Sequence, residues 1–179
     1  MKAKPSNPIR LIVVMGVSGC GKTLVGNHLA RQLKVEFVDG DDLHPPENVE
    51  RMRAGVKLDD ETRKPWLEAI CQCAESHFAS QQSVVIACSS LKRIYRTQLR
   101  SVSQAVLFVF LHGPKQVIQK RMDAREGHYM PSSLLDSQFA DLEDPTAEPA
   151  VVSVDVTQSV EAMLQEAVSY THLTLPTKA

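Results

Sequence analysis

Eight residues, Gly16 to Thr23, read GVSGCGKT, and they constrain this chain more than any other stretch. They fit the spacing G-x-x-x-x-G-K-[ST]. An apolar run, Leu11-Ile12-Val13-Val14-Met15, leads in, and Val25, Leu29 and Leu33 set an amphipathic pattern behind. The order is therefore strand, glycine-rich turn, helix. Glycines let backbone N–H groups curl around phosphate oxygens with no Cβ in the way. A helix starting near Gly21 turns its positive end on the same anion. Lys22 supplies a charge for the β- and γ-phosphates, and the Thr23 hydroxyl is a ligand for Mg²⁺. The pattern arises by chance in roughly 1% or less of chains this long, so the whole stretch (Gly16, Val17, Ser18, Gly19, Cys20, Gly21, Lys22, Thr23) is expected to bind a nucleoside triphosphate.

Five apolar runs have strand length: Leu11–Met15, Val35–Val38, Val84–Cys88, Val106–Leu111 and Val151–Val156. Most are continuously apolar, as strands of a parallel sheet covered on both faces are. Helical patterns lie between them. Leu67, Ile70, Ala74 and Phe78 recur at i, i+3, i+7 and i+11, and Val160, Met163, Leu164, Ala167 and Val168 at i, i+3, i+4, i+7 and i+8. Alternating strands and helices predict a doubly wound, three-layer α/β domain. Its ligands should gather outside the carboxyl ends of the strands. One domain is expected over residues 1–168. The last eleven residues, SYTHLTLPTKA, extend no periodic face and are expected to be a tail outside the fold, over 169–179.

The strand ends carry the candidate chemistry. The second is followed by Asp39-Gly40-Asp41-Asp42-Leu43-His44, whose carboxylates should face the phosphates. The third ends in Cys88-Ser89-Ser90, with no acid to help hold Mg²⁺, so Asp39 is the candidate metal ligand beside Thr23. Asp41 can then accept the proton of an attacking hydroxyl. Between Pro46 and Trp66, the cations Arg51, Arg53, Lys57, Arg63 and Lys64 lie among Asp59, Asp60 and Glu61. That stretch reads either as two solvated helices, the second capped by Asp59 or Asp60, or as a flap that meets an anionic acceptor. Lys92 and Arg96 stand at i and i+4 and favour an anion on one helical face. Arg121 and Arg125 share the same spacing before a Gly-His turn. They suit a mobile lid that excludes water and neutralises the transferred phosphoryl group. His44 and His128 lie in the site loops.

The remaining features exclude other classes. Twenty basic and 21 acidic residues nearly balance, so no general attraction to nucleic acid or an anionic membrane is expected. The longest apolar run, Val106–Leu111, is too short to span a bilayer, and MKAKPSNP has no signal-peptide core. Cys20, Cys71, Cys73 and Cys88 form no C-x-x-C pair; reduced thiols and a cytoplasmic setting are the expectation. Cys20 would make the loop oxidation-sensitive if its thiolate were exposed. A GTPase switch would carry N-K-x-D and D-x-x-G, and a transporter-type ATPase an L-S-G-G-Q-like signature. None of the three is present.

Several motifs together resemble the gluconokinases of the shikimate-kinase-like P-loop group: GVSGCGKT, DGDDLHPPENVERMRAGVKLDDETRKPWL, ACSSLKRIYRTQLR, FVFLHG and REGHYMPSSLLDSQFADLEDP. The similarity runs from about Leu11 to Val168. It implies ATP-dependent phosphorylation of D-gluconate at its 6-hydroxyl, with Mg²⁺. It also implies a five-stranded parallel sheet in the order 2-3-1-4-5, a lid over about 121–142, and a homodimer. By position, Asp41 matches the carboxylate that meets the acceptor, Asp39 the one near magnesium, and Gln138 a lid residue that reaches the sugar acid. Gluconate needs cations for its carboxylate and polar partners for its hydroxyls. Arg53, Arg63, Lys92 and Arg96 are candidates for the first, and Asp41, His44 and Gln138 for the second. A sibling kinase of shikimate, nucleoside monophosphates or adenylylsulfate is the alternative, and a non-enzymatic ATP-binding module a more distant one.

Overall fold

In the computed structural model, which describes residues 9–125 and 133–172, the five apolar runs become five parallel strands. They are β1 (Leu11–Met15), β2 (Glu36–Asp39), β3 (Val84–Ala87), β4 (Val106–His112) and β5 (Val151–Asp155), in the order β2-β3-β1-β4-β5. Leu11 is in register with both Val84 and Val106, so β1, the strand that feeds the glycine-rich turn, lies at the centre. The expected topology holds.

Among the described residues, seven helices connect or follow the strands: α1 (Lys22–Leu33), α2 (Pro46–Arg53), α3 (Asp60–Ala79), α4 (Arg93–Arg100), α5 (Lys115–Asp123), α6 (Leu134–Asp141) and α7 (Val160–His172). A 3₁₀ turn, Gly40–Leu43, follows β2. Side chains alternate across β1 and divide the core in two. Ile12 and Val14 pack with Val25 and Leu29 of α1 and Met163 and Ala167 of α7. Leu11, Val13 and Met15 pack with Trp66, Leu67 and Ile70 of α3 and Tyr95 and Leu99 of α4. Both faces of the sheet are covered, which is why the inner strands β1 and β3 are apolar throughout.

Of the two expected caps for α3, Asp59 is the one used. Its carboxylate accepts the Thr62 N–H at 2.8 Å, and the Thr62 hydroxyl accepts the Asp59 N–H at 2.9 Å, a reciprocal capping box. The stretch read as two solvated helices is instead one short helix and one of 20 residues whose inner face is core.

The expected tail boundary at Ser169 is corrected. Helix α7 continues to His172, and Thr171 is fully buried. The apolar series Met163, Ala167 and Val168 projects onto position 171, where threonine fits because its hydroxyl donates to the Val168 carbonyl at 2.8 Å. Tyr170 also packs against the core. Residues 173–179 lie outside the described part.

Candidate active site

The glycine-rich turn is shaped by close approach. Gly16 has φ +146°, and a Cβ there would lie 2.7 Å from both the Leu111 carbonyl oxygen and Cys20 Sγ. No other residue fits. Helix α1 starts immediately after Gly21 with no side-chain cap on its first-turn amides, as an anion-binding helix start requires. Lys22 Nζ donates to the carbonyls of Gly16 and Val17 at 3.1 and 3.0 Å, which holds the ammonium along the loop. Cys20 is corrected: its thiol is fully buried beneath the loop, and burial pushes its pKa up despite the Lys22 charge. It is a packing residue, not an exposed thiolate.

Asp39, the last residue of β2, and Asp41, in the 3₁₀ turn behind it, lie together at the end of the strand. Asp39 Oδ2 accepts the Thr23 hydroxyl at 3.1 Å, and Oδ1 accepts the Asp41 N–H at 3.0 Å. Gly40 lets this turn lie against β3, since a Cβ there would come within 2.3 Å of the Ala87 carbonyl oxygen. Trp66 Nε1–H donates to the Gly40 carbonyl at 2.7 Å and fastens the turn from the other side. Asp41 is thereby directed into a cleft that Ser18 and Lys22 also line. Among the described residues no group of three or more His, Cys, Asp and Glu could hold a metal. Thr23 and Asp39 with phosphate oxygens fit Mg²⁺, which takes few protein ligands.

Across the cleft, α3 supplies Arg63, the loop before it Lys57 and Leu58, and α6 supplies Leu134, Ser137 and Gln138. Arg63 is 7% exposed. Its Nη1 donates to the Tyr95 hydroxyl at 2.9 Å, and both Nη1 and Nη2 reach Asp141 Oδ2 at 3.2 Å. Lys57 Nζ donates to the other oxygen of Asp141 at 3.1 Å. Gln138 Oε1 accepts the Ser18 N–H of the glycine-rich turn at 2.6 Å.

His44 stacks on Trp66 at 4.2 Å between ring centroids. Burial, and secondarily the Arg63 charge, lower its pKa to about 4, so the ring is neutral at physiological pH. Asn48 Nδ2 donates to the Thr62 carbonyl at 2.7 Å and lies 3.3 Å from His44 Nδ1. Nδ1 is therefore the acceptor, and Nε2 carries the proton.

Other expected residues do not line the cleft. Arg96 is corrected: it is fully buried, with Nη2 2.7 Å from Glu148 Oε1 and Nη1 donating to the carbonyls of Ser90 and Leu91. Lys92, at the start of the same helix, pairs with Asp60 at 2.8 Å. Each takes a carboxylate within the protein, so the i, i+4 face points at protein rather than at a ligand. Arg53 pairs with Glu50 at 3.4 Å, with 59% of its side chain exposed. Arg121 donates to the Val156 carbonyl at 2.6 Å, beyond the end of β5. Arg125 is exposed, and its charge reaches the Cys20 thiol. His128 lies outside the described residues.

Trp66 and Asp141 were missed from the sequence, and Lys57 was named among the flap cations without being singled out for the acceptor. Asp141 had a usable signal. Leu134, Ser137, Gln138 and Asp141 fall at i, i+3, i+4 and i+7, one face of a helix.

Comparison with known proteins places the chain. A family model for shikimate kinase matches residues 18–169. The thermosensitive gluconokinase of Escherichia coli K12 is 43% identical over 155 residues, 86% of this chain and 83% of that protein. The gluconokinase of Gluconobacter oxydans 621H is 41% identical over 90% of each chain. The crystal structure of a gluconokinase from Sinorhizobium meliloti 1021 superposes with a TM-score of 0.84 at 45% identity, covering 93% of this chain and 94% of that one. The phosphate cradle, the carboxylates after β2 and these relatives agree: the chain belongs to the gluconokinases of the shikimate kinase family.

Proposed function

We propose that this enzyme transfers the γ-phosphoryl group of ATP to the 6-hydroxyl of D-gluconate, releasing ADP and 6-phospho-D-gluconate. One observation carries the reading. A single cleft joins a phosphate cradle (Ser18 and Lys22) to a carboxylate, Asp41, and to two cations, Lys57 and Arg63. That set matches a substrate with an anionic head and a nucleophilic hydroxyl at its far end.

Arg63 and Lys57 receive the sugar carboxylate, and Arg53, Lys92 and Arg96 do not. His44, neutral and protonated on Nε2, donates to a sugar hydroxyl. Asp41 takes the proton of the 6-hydroxyl as its oxygen bonds to the γ-phosphorus and the bond to ADP breaks. Lys22 and the glycine-rich turn hold the phosphates in line, and Arg125 draws charge from the transferred group. Magnesium, held by Thr23, Asp39 and phosphate oxygens, would neutralise charge between the β- and γ-phosphates. A homodimer in the cytoplasm remains part of the proposal. Among the described residues, no helix is long and apolar enough to cross a membrane.

The test is an ADP-release assay with D-gluconate, shikimate, nucleoside monophosphates and adenylylsulfate as acceptors. Gluconate is expected to be the preferred substrate by a wide margin. Turnover of another acceptor with none of gluconate would overturn the assignment.

A further inference from the structure

Helix α6 touches both halves of the cleft through one face. Gln138 meets the glycine-rich turn at Ser18, and Asp141, one turn later, meets the acceptor cations. Asp141 is 9% exposed and divides its carboxylate: Oδ1 takes Lys57, and Oδ2 takes both terminal nitrogens of Arg63. The end of α6 is itself anchored. Glu143 N–H donates to the Leu91 carbonyl at 2.8 Å, and Arg96 Nη2 donates to the Glu143 carbonyl at 3.0 Å. The carboxylate therefore has a fixed seat, and the two cations are held relative to it.

We propose that Asp141 is the positioning residue of the acceptor site, which holds the Lys57 ammonium and the Arg63 guanidinium as a pair spaced for the carboxylate of a sugar acid. This rests on the reading that the cleft takes such an acid. Lys57 has four flexible side-chain bonds and half of its side chain in solvent, so without a tether it would sample many positions. Arg63, nearly buried, has Tyr95 on one nitrogen and needs a second fixed acceptor to set the plane of its fork. Charge gives the same result. Two cations and one resident carboxylate leave one net positive charge, which a monoanionic acid neutralises and a neutral sugar of the same length leaves unmatched. Asp141 touches no reacting atom, so its removal acts on acceptor binding and not on phosphoryl transfer.

The experiment measures kcat and the KM values for gluconate and ATP in wild type, Asp141→Asn, Asp141→Glu and Lys57→Gln. In Asp141→Asn the gluconate KM should rise about ten- to hundredfold, the span of one lost charge-assisted hydrogen bond. The ATP KM and kcat at saturating gluconate should stay within about threefold. Asp141→Glu, which restores the charge, should recover part of the gluconate KM. Lys57 is half-exposed, so Lys57→Gln should fold even where Asp141→Asn does not, and should raise gluconate KM selectively by about tenfold. An unchanged gluconate KM in the Asn and Gln variants would overturn the role of Asp141 while leaving gluconate as substrate. Equal losses in kcat and both KM values, unrescued by glutamate, would make Asp141 a general structural residue. Wild-type protein that does not turn over gluconate would remove the proposed function and this inference together.

Discussion

Replacing Arg96 tests whether a cation at the edge of the sheet serves the ligand or the fold. Its guanidinium is fully buried, with Nε 3.0 and 3.2 Å from the two Glu148 oxygens and Nη2 2.7 Å from one of them. Nη1 donates to the Ser90 and Leu91 carbonyls at 2.8 and 3.0 Å, and Nη2 to that of Glu143 at 3.0 Å. Arg96→Met keeps much of the stem and removes every one of these donors. Some acceptors keep other partners. Leu91 retains the Glu143 N–H, and Glu148 retains Arg100 at 2.8 Å.

Breaking a buried pair from one side costs about 3–5 kcal/mol, and the surviving Arg100 contact puts this variant near 3 kcal/mol. At about 2–4 °C per kcal/mol for a chain of this size, Tm should fall by about 6–12 °C. Thermal unfolding by circular dichroism, paired with kinetics well below the transition, measures both sides. Gluconate KM should rise by less than about tenfold, because the end of α6 loses the Arg96 contact to the Glu143 carbonyl but keeps the Glu143 N–H bond to Leu91. An unchanged Tm with a gluconate KM raised more than about tenfold would refute the reasoning and return Arg96 to the substrate.

Three further outcomes follow from the site. Asp41→Asn should lower kcat by about a hundredfold or more with little change in ATP affinity; lost ATP binding instead would assign Asp41 to the metal. Asp39→Asn removes an acceptor of the Thr23 hydroxyl and should raise the Mg²⁺ concentration needed for half-maximal rate, and an identical Mg²⁺ titration would exclude Asp39 as a ligand. His44 gives a stability profile in acid. The unfolded chain takes up its proton near pH 6.5, whereas the folded one refuses it down to about pH 4. Its contribution is therefore complete above pH 6.5 and is lost as pH falls towards 4, on the order of 1–3 kcal/mol after allowing for partial exposure. His44→Gln should flatten the dependence of Tm on pH across that window, and an unaltered slope would count against the assignment.

What was legible in the sequence was local. The glycine-rich turn, the strand runs, a cap at Asp59 or Asp60 and the acids at the end of β2 depend on residues a few positions apart, and the structure has each of them, the cap at Asp59. The cations were not legible. Arg53, Arg63, Lys92 and Arg96 look alike in a list of residues, and spacing shows only which of them share a helical face. Their fates are set by acids elsewhere in the chain. Arg53 meets Glu50 three positions away, Lys92 meets Asp60 at 32, Arg96 meets Glu148 at 52, and Arg63 meets Asp141 at 78. Only the last of these acids belongs to a helix that also touches the phosphate cradle. Arg96 is satisfied by the buried Glu148, and Lys92 by Asp60, whose carboxylate also accepts the Tyr95 hydroxyl, so the charge of each is met within the protein. Arg63 is satisfied from α6, on the cleft wall itself, which leaves its pairing with Lys57 open to a second carboxylate. On the proposed function, a cation in this fold therefore becomes a ligand-binding group through the location of its resident acid and not through its own position in the sequence.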